Sequence, residues 1–487
     1  MRRVFGALTA AAFLGCAASH EAQKPEAPPP SPAAEAPAVV APAETPAVAA
    51  PAETPKLQVP VDYFKLDNGL KVVLSRDTTA PKTAIGVYYN IGFRIEPRNR
   101  TGFAHLFEHM MFQGSTNLGK MEFIRLIQKN GGILNGSTRF DFTNYFEIVP
   151  SNALETMLWA EADRMRGLEV TKENLKNQQG VVANEVKVNV LNQPYGGFPW
   201  LDMPQVANTN WYNAHNFYGD LKDLEAATLA DVKSFFKTYY APSNAVLVVV
   251  GDFEPEQVKG WVKKYFGPLP TVAQPQKPDI SEPRQEKEKR HDKKDPLAER
   301  PALAVGYHMP AVGTPEYYAM ALVDEVLLKG NDSALYQQLV QKKGLTGELN
   351  GGVNELGNQW NYNGPMQWTA YLFHDASAST ETILQEFDGV VTQLQEKPID
   401  AATLARARVK ARSRLYEHVE SFLGFGRADL LASFALFFDD PERINRLEDE
   451  LMKVSPELIQ KTAREYLRRE NRTVLTVTPA PTKAQAR

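Results

Sequence analysis

Residues 102 to 114 read Gly-Phe-Ala-His-Leu-Phe-Glu-His-Met-Met-Phe-Gln-Gly. The stretch contains no proline and no internal glycine, so it is predicted to be helical. Residues four apart lie on one face of a helix, which places His105 beside His109 and leaves Glu108 close to both. Phenylalanine, leucine and methionine cover most of the remaining surface, which predicts a buried helix. Buried imidazole and carboxylate groups need partners, and a divalent metal ion would satisfy them.

The order His105-x-x-Glu108-His109 inverts the commoner His-Glu-x-x-His motif of zinc peptidases. The inversion preserves the spacing of the two histidines and keeps a carboxylate next to them, where it can act on water. The alternative interpretation is a pair of core histidines that are hydrogen-bonded inside a structural helix.

The N-terminal residues 1–20 are predicted to be an export signal. Two arginines precede an apolar run, Val4 to Leu14, that is too short to span a membrane permanently. Cys16, the single cysteine of the chain, follows a Phe-Leu-Gly sequence that resembles a lipobox. We therefore expect a lipid-anchored protein of the bacterial periplasm or outer membrane, with cleavage and secretion as a soluble protein as the alternative. A single cysteine excludes an internal disulfide.

Composition divides the rest of the chain. Residues 21–58 are rich in proline, alanine and glutamate and are predicted to be a solvated tether. About 430 residues remain, too many for one hydrophobic core and suited to two domains. The net charge is −4, and no basic stripe interleaved with aromatic residues indicates a nucleic-acid partner. The predicted boundaries are 59–272 for the first domain, 273–300 for a charged linker, 301–481 for the second domain and 482–487 for a tail.

Strands are mixed with helices without regular βαβ alternation, which predicts an α+β fold with largely antiparallel sheets flanked by helices. The charged run within the linker is interpreted as a solvated segment, with a docking site as the alternative. The main predicted elements of the first half are a hairpin at 62–75, strands at 83–91, 143–149 and 245–250, and helices at 102–114, 120–129, 151–169, 172–191 and 231–240.

The second half resembles the first. Residues 317–330 align with residues 101–114 without a gap, and the apolar positions agree. The chain is therefore interpreted as two homologous domains, of which only the first kept the metal motif. Core positions of this helix evidently need not be histidine, which argues against the structural interpretation of the pair. The three motif residues are replaced as follows: His105 by Ala321, Glu108 by Asp324 and His109 by Glu325.

Two imidazoles leave a catalytic zinc ion one protein ligand short, because such sites use three ligands and a water. Glu185 is the best placed candidate, since it lies on the predicted 172–191 helix among several valines. Spacing alone does not decide between it and other carboxylates. The candidates are Glu147, Glu155, Glu161, Glu169, Glu173 and Glu185.

The motif, followed 76 residues after His109 by Glu185 in an Asn-Glu pair, resembles the pitrilysin/insulinase family of zinc metallopeptidases. The resemblance extends over about residues 60–478 and implies a single-site, two-domain bacterial member that forms half of a clamshell. It also rests on four shorter matches: Asn135-Gly136, Thr143-x-Tyr145, Pro194-Tyr195-Gly196, and the stretch from Tyr240-x-Pro242 to Gly251-Asp252.

The resemblance implies a role for each matching residue. One zinc ion per chain would be bound by two imidazoles and a carboxylate, with a glutamate as general base that takes a proton from the activated water. An edge strand would hold the substrate peptide by β-augmentation. The residues are His105, His109 and Glu185 for zinc, Glu108 for the base, Asn135, Gly136 and Ser137 for the substrate, and Gln178 and Tyr145 around the ligands.

Sequence alone also allows an ordinary turn at Asn135-Gly136 and a core aromatic residue at Tyr145. Gln178 occupies a position where some family members carry a second glutamate. A neutral amide can orient a ligand, but it does not raise the ligand's basicity as a carboxylate does.

Active family members use an arginine and a tyrosine of the second half to hold the substrate, and the matching residues here are Val340 and Gly347. Neither side chain can donate a hydrogen bond. The resemblance therefore implies a zinc endopeptidase for peptides or small unfolded polypeptides, paired as a hetero- or homodimer with a related subunit that supplies these groups. The alternatives are a non-catalytic metal-binding scaffold subunit and a tethered peptide-binding module.

Overall fold

The computed structural model describes residues 56–480. The predicted export signal with Cys16, the tether up to residue 55 and the predicted tail at 482–487 lie outside the described residues.

The first half forms a six-stranded sheet. Its strands are β1 (Asp62–Lys65), β2 (Lys71–Arg76), β3 (Lys82–Tyr89), β4 (Ile133–Thr138), β5 (Thr143–Pro150) and β6 (Ala245–Gly251). Their order is β1-β2-β6-β3-β5-β4, antiparallel except for the parallel pair β2 and β6. Strands β3, β5 and β6 are buried almost throughout, because both faces of the central sheet are covered. Strand β4 lies at the edge of the sheet.

The first half contains nine α-helices within the described residues. They are α1 (Phe103–Met110), α2 (Glu122–Lys129), α3 (Leu154–Arg166), α4 (Lys172–Val186), α5 (Asp202–Ala207), α6 (Trp211–Ala214), α7 (Leu221–Ala226), α8 (Leu229–Tyr239) and α9 (Pro255–Phe266). Helix α1 is shorter than predicted, because Gln113 bonds back to Met110 in a tight turn and Gly114 adopts a φ of 127°. Helix α4 continues as a π-helical turn to Leu191, so the predicted 172–191 segment is helical over its length.

The second half forms a five-stranded sheet with the same topology. Its strands are β7 (Lys289–Asp295), β8 (Ala302–His308), β9 (Asn350–Val353), β10 (Gln367–Phe373) and β11 (Arg472–Pro479). The order β7-β11-β8-β10-β9 repeats the order β2-β6-β3-β5-β4 of the first sheet, including one parallel pair. The predicted α+β fold of two largely antiparallel sheets flanked by helices is confirmed.

The charged run predicted as a solvated linker requires a correction. Residues Lys289–Asp295 of the 273–300 segment form β7, which pairs in parallel with β11. The run carries no apolar alternation, so the sequence pattern gave no sign of a strand. An edge strand needs no such alternation, because its charged side chains stay in water and discourage pairing with other chains.

One helix of the second half packs against the sheet of the first half. The helices of the second half are α10 (Pro315–Leu327), α11 (Thr380–Glu396), α12 (Ala401–Phe438), α13 (Leu447–Lys453) and α14 (Pro456–Tyr466). Helix α12 is interrupted at Ser421–Gly424, and its second part packs against β3 and β6 of the first sheet. There the Tyr88 hydroxyl donates to Asp429 at 3.0 Å. Among residues 56–480, α12 alone is long and apolar enough to cross a membrane, but its packing is that of a core helix.

The second-half positions that match the metal motif carry a buried charge cluster instead. The Glu325 side chain is only 3% exposed, and its Oε1 lies 2.7 Å from Nε of Arg414. Neighbouring Asp324 accepts a hydrogen bond from the Trp368 indole at 2.7 Å. Burial raises the pKa of Glu325 to about 7, and the positive charge of Arg414 offsets only part of this effect. In this half, the carboxylate at the position that corresponds to His109 is thus paired with an arginine.

Glu325→Gln is expected to weaken the pH dependence of stability. The folded protein keeps a proton on Glu325 up to about pH 7, whereas the unfolded chain releases it near pH 4.5, so wild type loses stability between these values as pH rises. Glutamine has no proton to release. Between about pH 4 and about pH 8, the free energy of unfolding of the variant should therefore rise by about 3 kcal/mol relative to that of wild type. Urea unfolding measures the difference. The exposed control Glu396→Gln should follow wild type, and equal pH slopes for Glu325→Gln would contradict the expectation.

Candidate metal centre

Helices α1 and α4 pack against each other and bring together three ligand atoms. Glu185 on α4 faces both histidines of α1. Its Oε1 lies 3.5 Å from Nε2 of His105, and its Oε2 lies 3.2 Å from Nε2 of His109. All three ligand atoms lie within 4.8 Å of one another. A tetrahedral ion with bonds of about 2.0–2.2 Å places its ligand atoms about 3.3–3.6 Å apart, close to the two distances from Glu185.

The electrostatics of this cluster favour an ionised carboxylate. Burial opposes ionisation of Glu185, but hydrogen bonds from His105, His109 and Tyr218 outweigh it and hold the pKa of Glu185 well below its usual range. Burial likewise lowers the pKa of His105, but hydrogen bonding to Glu185 and the nearby charge of Glu108 together raise it. Two imidazoles and one carboxylate are the donor set of a catalytic zinc site with a fourth position for water. The residues present therefore fit a zinc ion.

The structure separates Glu185 from the other candidate third ligands. Glu147 and Glu161 are buried beside Arg164, and Arg164 donates to Glu161. Glu155 accepts a hydrogen bond from Tyr265 at 2.7 Å on the protein surface. Among the described residues, the one group of three side chains that could hold a metal ion is His105, His109 and Glu185.

Tyr218 completes the surroundings of the ligands and was not predicted from the sequence. Its hydroxyl donates to Glu185 Oε1 at 2.8 Å, and its ring stacks on His105 with centroids 5.0 Å apart. A close backbone approach positions it: a Cβ on Gly219 would lie 2.5 Å from Cα of Gly102. Both glycines also have positive φ, so neither position tolerates a side chain. Two glycines more than 100 residues apart gave no sequence signal for this contact.

Glu108 points toward the sheet edge beside the ligands. Its Oε2 accepts a hydrogen bond from the Thr138 hydroxyl at 2.7 Å. A Cβ on Gly136 would lie 3.2 Å from Cγ of Glu108, so the glycine leaves space for this carboxylate. Glu108 is thus held between α1 and β4, next to the imidazoles but outside the group of ligand atoms. A carboxylate in this position is free to act on a group held at the three ligand atoms.

The residues predicted to bind substrate lie in β4. Asn135, Gly136 and Ser137 pair with Phe146, Tyr145 and Asn144 of β5 on one side, and the other side of β4 has no neighbouring strand among residues 56–480. The sequence alternative of an ordinary turn at Asn135-Gly136 is therefore wrong. An unpaired strand edge offers backbone donors and acceptors to an extended peptide.

The two residues predicted to surround the ligands form their hydrogen bonds with other side chains. Gln178 is buried on α4, where its Nε2 donates to Asn177 Oδ1 at 2.8 Å. Tyr145 is buried in β5, and its hydroxyl lies 3.2 Å from that of Tyr240. Among the described residues, neither side chain hydrogen-bonds to a ligand. Tyr145 instead packs against Gly136 and so supports the strand beside Glu108.

Comparison with known proteins agrees with this arrangement. The model of the insulinase family, peptidase family M16, matches residues 71–195, and the model of the peptidase M16 inactive domain matches residues 226–410. Together the two models match more than half of the chain. The chain belongs to the M16 peptidase family. The predicted resemblance to pitrilysin/insulinase-type peptidases is confirmed.

Individual M16 proteins match nearly the whole described part. Zinc protease PqqE of Helicobacter pylori is 25% identical over 425 residues, covering 85% of this chain and 92% of its own length. The crystal structure of a protease from Helicobacter pylori has a TM-score of 0.80 at 24% identity and covers 87% of this chain and 100% of that chain. A peptidase M16 inactive domain from Pseudomonas fluorescens has a TM-score of 0.76 at 16% identity, covering 87% and 98%.

The two halves of this M16 chain therefore differ in chemistry while sharing a fold. The half matched by the insulinase model carries the three candidate metal ligands, and the second half carries Ala321, Asp324 and Glu325 at the positions that match the motif. The chain is similar to zinc proteases of the M16 family.

Proposed function

We propose that this chain is the zinc-bearing subunit of an M16 endopeptidase that hydrolyses peptides or small unfolded polypeptides. The observation that carries the proposal is the convergence of His105, His109 and Glu185 within 4.8 Å, with Glu108 held beside them. Relatives described as zinc proteases support the choice of metal.

The proposed chemistry divides between the ion and this chain's own residues. A zinc ion at the three ligands would supply an activated water and an electrophile for the scissile carbonyl. The Glu108 carboxylate accepts the proton of the attacking water and returns it to the departing amine nitrogen. Thr138 holds one carboxylate oxygen of Glu108 and so orients the other. Tyr218 holds Glu185 through its hydroxyl and fixes the position of this ligand.

The substrate backbone is proposed to pair with the free edge of β4. The main chain of Asn135, Gly136 and Ser137 would donate and accept hydrogen bonds. Such bonds do not depend on the side chains of the peptide, so they suit peptides of varied composition. Because Gly136 packs against Glu108, a peptide on this edge passes directly beside the general base. Segments whose backbone is already paired within a fold cannot form these hydrogen bonds, which favours flexible substrates.

A related subunit is proposed to complete the site. Val340 lies in a π-helical turn and Gly347 in the following exposed loop, and neither supplies the hydrogen-bond donors that the resemblance associates with substrate binding. A different, related subunit facing the metal centre, as the second half of a clamshell, would supply them, because a second copy of this chain carries the same Val340 and Gly347. For location, we propose export with a lipid on Cys16 as the only membrane attachment, because the N-terminal sequence resembles a lipoprotein signal.

One observation favours a second candidate. The absence of both donors at Val340 and Gly347 is compatible with a scaffold subunit that binds the metal without catalysis. The two functions differ in their dependence on Glu108, since a scaffold needs the three ligands but not the base.

Zinc binding tests the first step of the proposal. The purified chain is expected to bind one zinc ion, and Glu185→Gln should weaken binding by more than about 100-fold, because removing a ligand exceeds the effect of removing a supporting residue. Competition with a chromogenic chelator measures the affinity. Glu173→Gln, an exposed glutamate on the same helix, is the matched control and should bind zinc as wild type does. Unchanged affinity in Glu185→Gln would contradict the site.

A further inference from the structure

Helix α12 is broken in an unusual way close to the first sheet. Phe422 and Leu423 adopt left-handed conformations, with φ values of 48° and 60°, and both side chains are 55% exposed. Left-handed backbone is unfavourable for residues with large side chains, and exposing two large apolar groups adds to this cost. The break thus holds an aromatic ring on the surface where a continuous helix would not place it.

The break packs against β5, the strand next to the edge strand β4. The Phe425 ring stacks on Phe146 with centroids 3.7 Å apart, and the Phe422 ring meets the same residue edge-on at 5.8 Å. Phe146 of β5 is the register partner of Asn135 on β4. Phe422 therefore packs over β5, the strand next to the free-edge strand β4.

The alternation of side chains separates the two faces of this edge. Gly136 lies on the face that contacts Glu108, so Asn135 and Ile133 lie on the opposite face. Ile133 pairs with Ile148 and is 43% exposed. Ile133 and Phe422 are thus the exposed apolar side chains behind the strand, with the buried Phe146 beneath Phe422, and we name this area the rear subsite.

We propose that the rear subsite selects apolar side chains of the substrate peptide. A peptide paired with β4 continues the alternation, so every second side chain faces Glu108 and the intervening ones face the rear subsite. The inference rests on the proposed function, because it requires the peptide to add to this edge. It adds a preference: peptides with apolar residues at alternate positions bind best.

Leu423 provides a matched control within the same break. It has the same exposure and the same backbone conformation as Phe422, but it lines a separate cavity of about 250 Å³ with Asp77, Lys82 and Arg427. Asparagine tolerates left-handed backbone, so Phe422→Asn and Leu423→Asn each remove an apolar side chain without adding strain. Phe422→Leu keeps an apolar side chain and serves as the conservative variant.

The experiment measures binding rather than cleavage, in the zinc-loaded full chain carrying Glu108→Gln. Two fluorescent peptides of equal length are compared by anisotropy, one alternating leucine with serine and one with serine throughout. The leucine peptide should bind more tightly, Phe422→Asn should weaken its binding by about tenfold, and Leu423→Asn and Phe422→Leu should retain it. The serine peptide should bind all four chains equally. Thermal unfolding verifies that each variant is folded.

Three results would overturn the subsite: equal binding of the two peptides by the Glu108→Gln chain, equal losses in Phe422→Asn and Leu423→Asn, or no binding of either peptide. Failure of the proposed function is a separate result. If the chain with Glu108 intact cleaves no peptide but binding still depends on Phe422, the rear subsite stands as a peptide-binding surface and the peptidase proposal fails.

Discussion

Glu108→Gln is expected to lower kcat/KM for peptide hydrolysis by about 10²–10⁴-fold, the range by which general acid–base catalysis accelerates reactions. Glutamine has nearly the same size and can still accept the hydrogen bond from Thr138, so the local geometry should persist. It cannot accept the proton of the attacking water. Zinc affinity should remain close to wild type, because Glu108 lies outside the group of three ligand atoms. Hydrolysis of a quenched fluorescent peptide and chelator competition measure the two quantities.

Glu122→Gln is the matched control for this substitution, because Glu122 lies exposed at the start of α2, outside the metal centre. It should leave both hydrolysis and zinc affinity unchanged. A Glu108→Gln chain that still hydrolyses peptides at the wild-type rate would exclude Glu108 as the base. A wild-type chain with no hydrolysis, whose cellular phenotype survives Glu108→Gln, would favour the scaffold function instead.

The parts of this site that the sequence predicts are those set by local geometry. His105 and His109 share a helix face whatever the rest of the chain does, and Glu108 must then lie near them. The third ligand needed more than spacing, because packing between α1 and α4 decides which carboxylate arrives there. Tyr218 had no local signal at all, since its position depends on the approach of Gly102 and Gly219.

The fold shows the same division between local and tertiary information. Strands with alternating or continuous apolar residues, such as β3 and β6, are evident in the sequence. The charged strand β7 is not, because its place is created by the exposed edge of β11 rather than by its own residues. The break in α12 at Ser421 to Gly424 was also not predicted, since it depends on a contact between Phe422 and Phe146 of the other half.

The largest gain of activity is expected from restoring the missing donors. The double variant Val340→Arg with Gly347→Tyr should raise kcat/KM by about 10²–10³-fold if such groups stabilise the transition state as oxyanion donors do. A side chain can begin at Gly347 without a clash, because nothing beyond its chain neighbours lies within 4 Å of a Cβ placed there. Val340→Arg with Gly347→Phe carries the same ring without its hydroxyl and should gain much less. A wild-type chain that is fully active as a monomer would refute the need for a partner.

Complementation distinguishes action within one chain from action across a dimer. A triple variant with Glu108→Gln, Val340→Arg and Gly347→Tyr has the donors but no base, whereas wild type has the base but no donors. If the donors act on a facing subunit, each chain alone should be nearly inactive and their mixture active, because only mixed dimers combine both groups. If the donors act within their own chain, the mixture should remain inactive while the double variant is active by itself. Since Glu108 and residues 340–347 belong to different halves of the fold, this result determines whether the catalytic unit is one chain or two.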